Sequence, residues 1–240
     1  MKSEEIDDIY ELSPMQAGML FHSLAAERSG VYVLQFVCPL TGGLDETAFE
    51  RAWEGLAARH AVLRTSFHWQ ELDKPLQVVH QKVALPLARL DWRSIPEEAQ
   101  EQRLRSLLRE DRVQGFDLSQ VPLVRLLLIR TGDTAYRLLW TTHHILLDGW
   151  CLGLVLQELL ELYDGFRRGE PVRLPPVRPY ADYIEWLQSQ DAAAAEAFWR
   201  RILSGFGAAT RLGVDRLAAP AASDGAALDP GGEAVFAEES

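Results

Sequence analysis

Tyr136-Arg-Leu-Leu-Trp-Thr-Thr-His143-His144-Ile-Leu-Leu-Asp148-Gly149-Trp150 reads as a strand that stops at two histidines, turns, and restarts as a helix. Strand alternation puts Tyr136, Leu138, Trp140, Thr142 and His144 on one face and Arg137, Leu139, Thr141 and His143 on the other, so the two imidazoles point apart. From Trp150 the period changes. Leu152, Val155, Leu156, Leu159, Leu160, Tyr163 and Phe166 recur at helical spacing, which places Gly149 at a helix start. A titratable ring beside the unpaired N–H groups of a helix N-terminus is a place where chemistry can be done.

Upstream, Pro122 to Arg130 is a second apolar strand, joined to Ala135–His144 through Thr131-Gly-Asp-Thr134, the spacing of an antiparallel hairpin. Val31 to Leu40 and Leu76 to His80 read as further strands, and so does Val62 to Phe67. Ser13-Pro14-Met15-Gln16 has the form of a capping box opening a helix to about Ala26, and Ser94-Ile95-Pro96-Glu97 has the same form before a charged helix that turns Leu104, Leu107 and Leu108 inward. Asp45 caps another helix with Phe49, Trp53 and Leu56 on its buried side. After the long helix, prolines 171, 175, 176 and 179 form a connector to two short helices, Tyr180 to about Gln190 and Ala192 to Leu203. Helices interleaved with strands, and a hairpin among the strands, predict an α/β (α+β) sandwich: a mixed, mostly antiparallel sheet with helices packed on it. Residues 205–240, rich in alanine, glycine, proline and serine, read as linker or the start of something else.

Composition narrows the function. The 240 residues are 48% hydrophobic and 25% charged, enough to bury a core. A net charge of -11 argues against nucleic acid and anionic membrane as partners. No apolar run reaches membrane-spanning length and the N-terminus is acidic, so the cytosol is expected. The two cysteines, Cys38 and Cys151, lack CxxC spacing and are expected as buried free thiols.

Chemistry alone gives His144 three readings: a satisfied rim residue, a metal ligand, or a general base that takes a proton or holds a nucleophile by hydrogen bond. The metal reading is weakest, since His143 points away and no third ligand sits at a recognisable spacing. Asp148 either orients a dyad or is used up as a helix N-cap. No GxSxG setting and no glycine-rich phosphate loop is present, so in an enzyme the attacking amine or hydroxyl belongs to the substrate.

His143-His144-Ile-Leu-Leu-Asp148-Gly149 fits HHxxxDG, and three further stretches agree in order: Ser13-Pro14-Met15-Gln16-Ala-Gly-Met-Leu-Phe-His-Ser-Leu24, Arg59-His60-Ala-Val-Leu63-Arg64-Thr65-Ser-Phe67 as RHxxLRTxF, and Tyr180-Ala-Asp182-Tyr183-Ile-Glu-Trp186 as YxDFxxW with tyrosine in the phenylalanine place. Across about residues 6 to 215 the chain resembles the condensation domains of nonribosomal peptide synthetases. Its opening stretch looks most like members that join an L-configured donor to an L acceptor. The resemblance implies a chloramphenicol-acetyltransferase-like fold of two lobes around a tunnel. It implies peptide-bond formation, in which an acceptor aminoacyl amine attacks a donor thioester. Both groups are held on donor and acceptor carrier proteins by 4'-phosphopantetheine, with an adenylation domain adjacent; no cofactor is expected on this chain itself.

Carried over by position, His144 is the catalytic residue, His143 supports it, Asp148 pairs with Arg64 to hold the loop, and Gly149 lets substrate approach a backbone N–H able to bond the developing oxyanion. The motifs of the family's C-terminal lobe have no counterpart. Residues 1–204 are therefore expected to be the N-terminal lobe, and 205–240 a linker into a C-terminal lobe outside this chain, which makes the chain an incomplete enzyme. Two alternatives stand beside this: an acyl-CoA-dependent acyltransferase of the same fold, and a non-catalytic carrier-docking scaffold.

Overall fold

Leu138, Leu139, Trp140, Thr141 and Thr142 are all buried, so the strand that ends at His143 is covered on both faces over its second half. Such a strand belongs in the middle of a sheet, with partners on both edges. The computed structural model describes residues 5–26 and 29–208. In chain order the elements are β1 (Ile6–Glu11), α1 (Pro14–Ala25), β2 (Val33–Thr41), α2 (Glu46–Arg59), a 3₁₀ turn (Ala61–Arg64), β3 (Thr65–His68), β4 (Leu76–His80), β5 (Leu87–Asp91), α3 (Glu97–Gln114), β6 (Val124–Arg130), β7 (Ala135–His143), α4 (Gly149–Arg168), α5 (Tyr180–Gln188) and α6 (Ala192–Ile202).

Two sheets form. One has the order β2-β7-β6-β5 and the other β1-β4-β3. Every pairing is antiparallel except β5 with β6, so the expected mixed, mostly antiparallel architecture is the one found. The β2–β7 register runs from Thr41 opposite Ala135 to Val33 opposite His143, which carries the ladder to the strand end where the histidines sit. Helices α2 and α4 pack closely: a methyl group added at Gly55 would lie 3.3 Å from Leu162. Trp53 of α2 and Trp140 of β7, both buried, meet edge to face at 5.2 Å in the main core, the arrangement favoured by ring quadrupoles. The chain divides into two compact units, residues 1–190 and 191–240; in the second, the Asp191 carboxylate accepts from the Ala194 N–H at 2.9 Å and caps α6.

Several expectations need correction. Residues 62–67 are not one strand, because Ala61–Arg64 form a 3₁₀ turn and β3 starts only at Thr65. Ser94 does not cap α3. It sits in a turn closed by the Ile95 N–H on the Trp92 carbonyl, Pro96 takes the cap position without a side-chain bond, and the Gln100 amide folds back onto the Trp92 and Ile95 carbonyls instead. Strands β1 and β5 escape the sequence pattern: Ile6–Glu11 carries three acidic residues, and Leu87–Asp91 leaves all but its first residue outside the core. The cysteine thiols are free, but both side chains are only half-buried. The expected linker, from residue 209 on, lies outside the described residues. Among the described residues no helix is long and apolar enough to cross a membrane.

Candidate active site

The turn between β7 and α4 is anchored by its own apolar residues. Ile145, Leu146 and Leu147 are buried in the main core, and the Leu146 N–H closes the turn on the His143 carbonyl at 3.1 Å. Burying three consecutive side chains leaves the backbone little freedom, so the carbonyl of Leu147 becomes a fixed acceptor. His144 Nδ1 lies 2.7 Å from that carbonyl. A carbonyl only accepts, so Nδ1 carries a proton whether the ring is neutral or charged. Nε2 is therefore the atom that gains or loses one, and in the neutral ring it is a lone-pair acceptor. The His144 backbone N–H is held separately, by the Tyr32 carbonyl at 2.8 Å.

His143 has the opposite tautomer and a different environment. Its Nδ1 accepts the Ile145 N–H at 3.2 Å, so the proton of the neutral ring sits on Nε2, 3.3 Å from Ser23 Oγ, and the Ser23 hydroxyl donates onward to the Met19 carbonyl at 2.7 Å. The ring is 3% exposed, edge-on to Phe116 at 6.3 Å, and beside a cavity of about 320 Å³ whose walls include Trp69, Phe116 and Leu118. Burial, with the neighbouring His144 second, pushes its pKa down to about 4. His143 is thus a neutral donor that fixes the strand end. β7 ends at His143 and His144 opens the turn, so the two rings have different hydrogen-bond partners.

Helix α1 braces this turn from one side. Gln16 and Ser23 are seven residues apart, two helical turns, and so share a face. Ser23 meets His143, while Gln16 Nε2 donates to the Ile145 carbonyl at 3.3 Å and Leu20 is buried between them. The expected capping box is present: Ser13 Oγ accepts the Gln16 N–H at 3.2 Å, and Gln16 Oε1 accepts the Ser13 N–H at 3.0 Å. One glutamine therefore caps a helix and holds a loop 129 residues away.

Asp148 is the N-cap of α4, accepting the Cys151 N–H at 3.0 Å, and its pKa is lowered first by the hydrogen bonds from Cys151. It does not pair with Arg64. The buried Arg64 guanidinium gives Nε to the Ala57 carbonyl at 2.9 Å and Nη1 to the His80 carbonyl, and its charge faces Asp7 of β1 at 3.3 Å. The pairing expected from the motif fails because β1 supplies a nearer carboxylate. The neighbouring motif residues act as a tie. Arg59 Nε and His60 Nε2 both bind Glu158 of α4, at 2.8 and 2.6 Å, joining the end of α2 to the helix that starts at the site. A methyl added at Gly149 would meet nothing within 4 Å, so the backbone of the first α4 turn is open to approach. Among the described residues no group of three or more His, Cys, Asp or Glu is arranged to hold a metal ion.

Tyr32, Ser23, Leu147 and Glu158 have no sequence signal of their own.

A strand end with two histidines of opposite tautomer, an apolar turn and a capped helix agrees with what comparison with known proteins finds. The family model described as the condensation domain matches residues 6–227. The chain belongs to the condensation-domain family. Among curated relatives, one of the linear gramicidin synthase subunits of Brevibacillus parabrevis is 45% identical over 199 residues, 83% of this chain and 3% of that protein. Bacitracin synthase 3 of Bacillus licheniformis is 45% identical over 202 residues, 84% of this chain and 3% of that protein. A solved starter condensation domain of the rhizomide synthetase superposes with a TM-score of 0.76 at 20% identity, covering 84% of this chain and 49% of that one. The chloramphenicol-acetyltransferase-like lobe is therefore the fold found. This chain spans about half the length of that solved condensation domain and 3% of each of the two curated synthases named above.

Proposed function

We propose that this chain is the N-terminal lobe of a cytosolic peptide-bond-forming condensation domain and that His144 is its base. The observation that carries the reading is the 2.7 Å approach of His144 Nδ1 to the Leu147 carbonyl, which reserves Nε2 for substrate. The nitrogen of an acceptor aminoacyl group attacks the donor thioester carbonyl, a C–N bond forms, and negative charge builds on the carbonyl oxygen. Nε2 takes the proton the amine must lose and returns it to sulfur as the C–S bond breaks, releasing the donor arm as a free thiol. A positioned base of this kind is worth roughly 10²–10⁴ in rate. The Asp148 cap takes the Cys151 N–H, which leaves the Gly149 N–H, at the positive end of the α4 dipole, as the donor for the oxyanion.

Asp148 and Arg64 are structural in this account: one caps α4, and the other cross-links α2, β4 and β1. His143 supports the strand end. Residues 1–204 form the lobe and 205–240 lead toward a C-terminal lobe that completes a tunnel. Donor and acceptor carrier proteins deliver their 4'-phosphopantetheine arms from either side, with an adenylation domain adjacent, and donor and acceptor are both L-configured.

Intact-protein mass spectrometry tests this. A donor-loaded and an acceptor-loaded carrier are mixed with this chain, or with a version extended through a second lobe. Product on the acceptor carrier only with the extended version is expected. Saturable carrier binding without product from either version would replace the reading with a docking scaffold. Product from free acyl-CoA, but not from the loaded donor carrier, would replace it with an acyl-CoA transferase.

A further inference from the structure

Tyr32 has a backbone φ of +59°, in the left-handed region that bulky residues avoid. The residue lies in neither hydrophobic core cluster, so packing of the core does not account for it. Its contacts converge on the histidines instead. The Tyr32 carbonyl accepts the His144 N–H at 2.8 Å, carrying the β2–β7 pairing one residue past Val33 and His143. Its ring stands edge-on to His143 at 6.2 Å and to His144 at 6.5 Å, with interplanar angles of 63° and 65°. It also lies parallel to His22 of α1, ring centroids 6.2 Å apart and planes at 6°, and its hydroxyl is 2.9 Å from His22 Nδ1.

From this convergence we infer that Tyr32 is a positioning residue for His144, with His22 as its brace; the inference rests on His144 being the base. The Leu147 carbonyl fixes one edge of the His144 ring, and the Tyr32 ring limits its rotation from another side. The left-handed backbone brings carbonyl and ring to bear on the same residue. A base held within a few tenths of an ångström of its productive place keeps its rate, and small displacements are costly.

The test separates ring from backbone. Asparagine tolerates the left-handed conformation and keeps the carbonyl but lacks the ring, while phenylalanine keeps the ring and loses only the bond to His22. In the full chain labelled with nitrogen-15 histidine, long-range proton–nitrogen spectra read each tautomer directly. Wild type and Tyr32→Phe are expected to show His144 protonated on Nδ1 alone. Tyr32→Asn is expected to show a mixture of both tautomers at His144 while His143 keeps its Nε2 proton, which certifies the fold. In a completed domain, Tyr32→Asn is expected to lower kcat roughly 10- to 100-fold with KM unchanged, and Tyr32→Phe to recover most of it. A single Nδ1–H tautomer at His144 in Tyr32→Asn overturns the inference, and so does simultaneous loss of the His143 signature, which would make Tyr32 a general fold residue. Full activity in His144→Ala would remove the function proposed above while leaving the tautomer result to stand or fall by itself.

Discussion

Lowering the pH should weaken this fold, and His143 makes a contribution that can be isolated from that of His80, whose pKa burial also lowers. In the folded chain His143 is neutral, 3% exposed, with a pKa of about 4 against 6.5 for a free histidine. The folded value lies below the unfolded one, so as pH falls the unfolded chain takes the proton first. Stability is full above pH 6.5 and is lost as the pH falls, the loss ending near pH 4. The interval of about 2.5 pH units, at 1.36 kcal/mol each, amounts to about 3 kcal/mol, of which about 2 kcal/mol is already lost at pH 5. Against a typical domain stability of about 5–15 kcal/mol this is a large share. Urea denaturation of wild type and His143→Gln at pH 7, 6 and 5 isolates the effect, since the carboxylates contribute equally to both. The variant should be less stable at pH 7, where it lacks the Ile145 and Ser23 bonds in their native geometry, and its stability should fall less steeply with acid. Equal slopes for the two proteins would refute the view that His143 is a buried neutral donor.

Other outcomes follow from the same geometry. Asp148→Ala should cost about 1 kcal/mol as a lost N-cap, and a double-mutant cycle of Asp148 with Arg64 should give a coupling energy below about 0.5 kcal/mol, because the two do not touch. The cycle of Arg64 with Asp7 should show coupling, limited to about 1 kcal/mol since the Asp7 side chain is 53% exposed. Glu158→Ala leaves the half-buried Arg59 and His60 without their acceptor and should lower stability by about 2 kcal/mol in thermal or urea melts. Gln16→Ala removes both half of a capping box and the bond to Ile145; amide exchange at Ile145 and Leu146 should accelerate more than in the core strands.

The sequence was most legible where one residue type has one use. Asp45, Ser13 and the apolar run before His143 specified two helix starts and a strand, because caps and a short apolar run bounded by turn residues leave few alternatives. The motif stretches located the site and its histidines. What stayed hidden depended on chain segments meeting at a distance. Strand β1 is acidic and carries no clear alternation, so Asp7 could not be seen as the partner of Arg64, and the motif-based pairing with Asp148 took its place. Tyr32 has no pattern to announce it, since its role arises from a left-handed backbone beside a strand end contributed by residues more than a hundred positions later. The tautomers of His143 and His144 follow from carbonyls and N–H groups that a one-dimensional reading does not place.

The central claim is that His144 Nε2 moves the amine proton. Its most direct test is a single-turnover measurement of product on the acceptor carrier, by rapid quench, in a domain completed by a second lobe and compared with its His144→Ala variant. The account predicts a rate lower by roughly 10²–10⁴ in the variant, with carrier binding retained. An unchanged rate would contradict it.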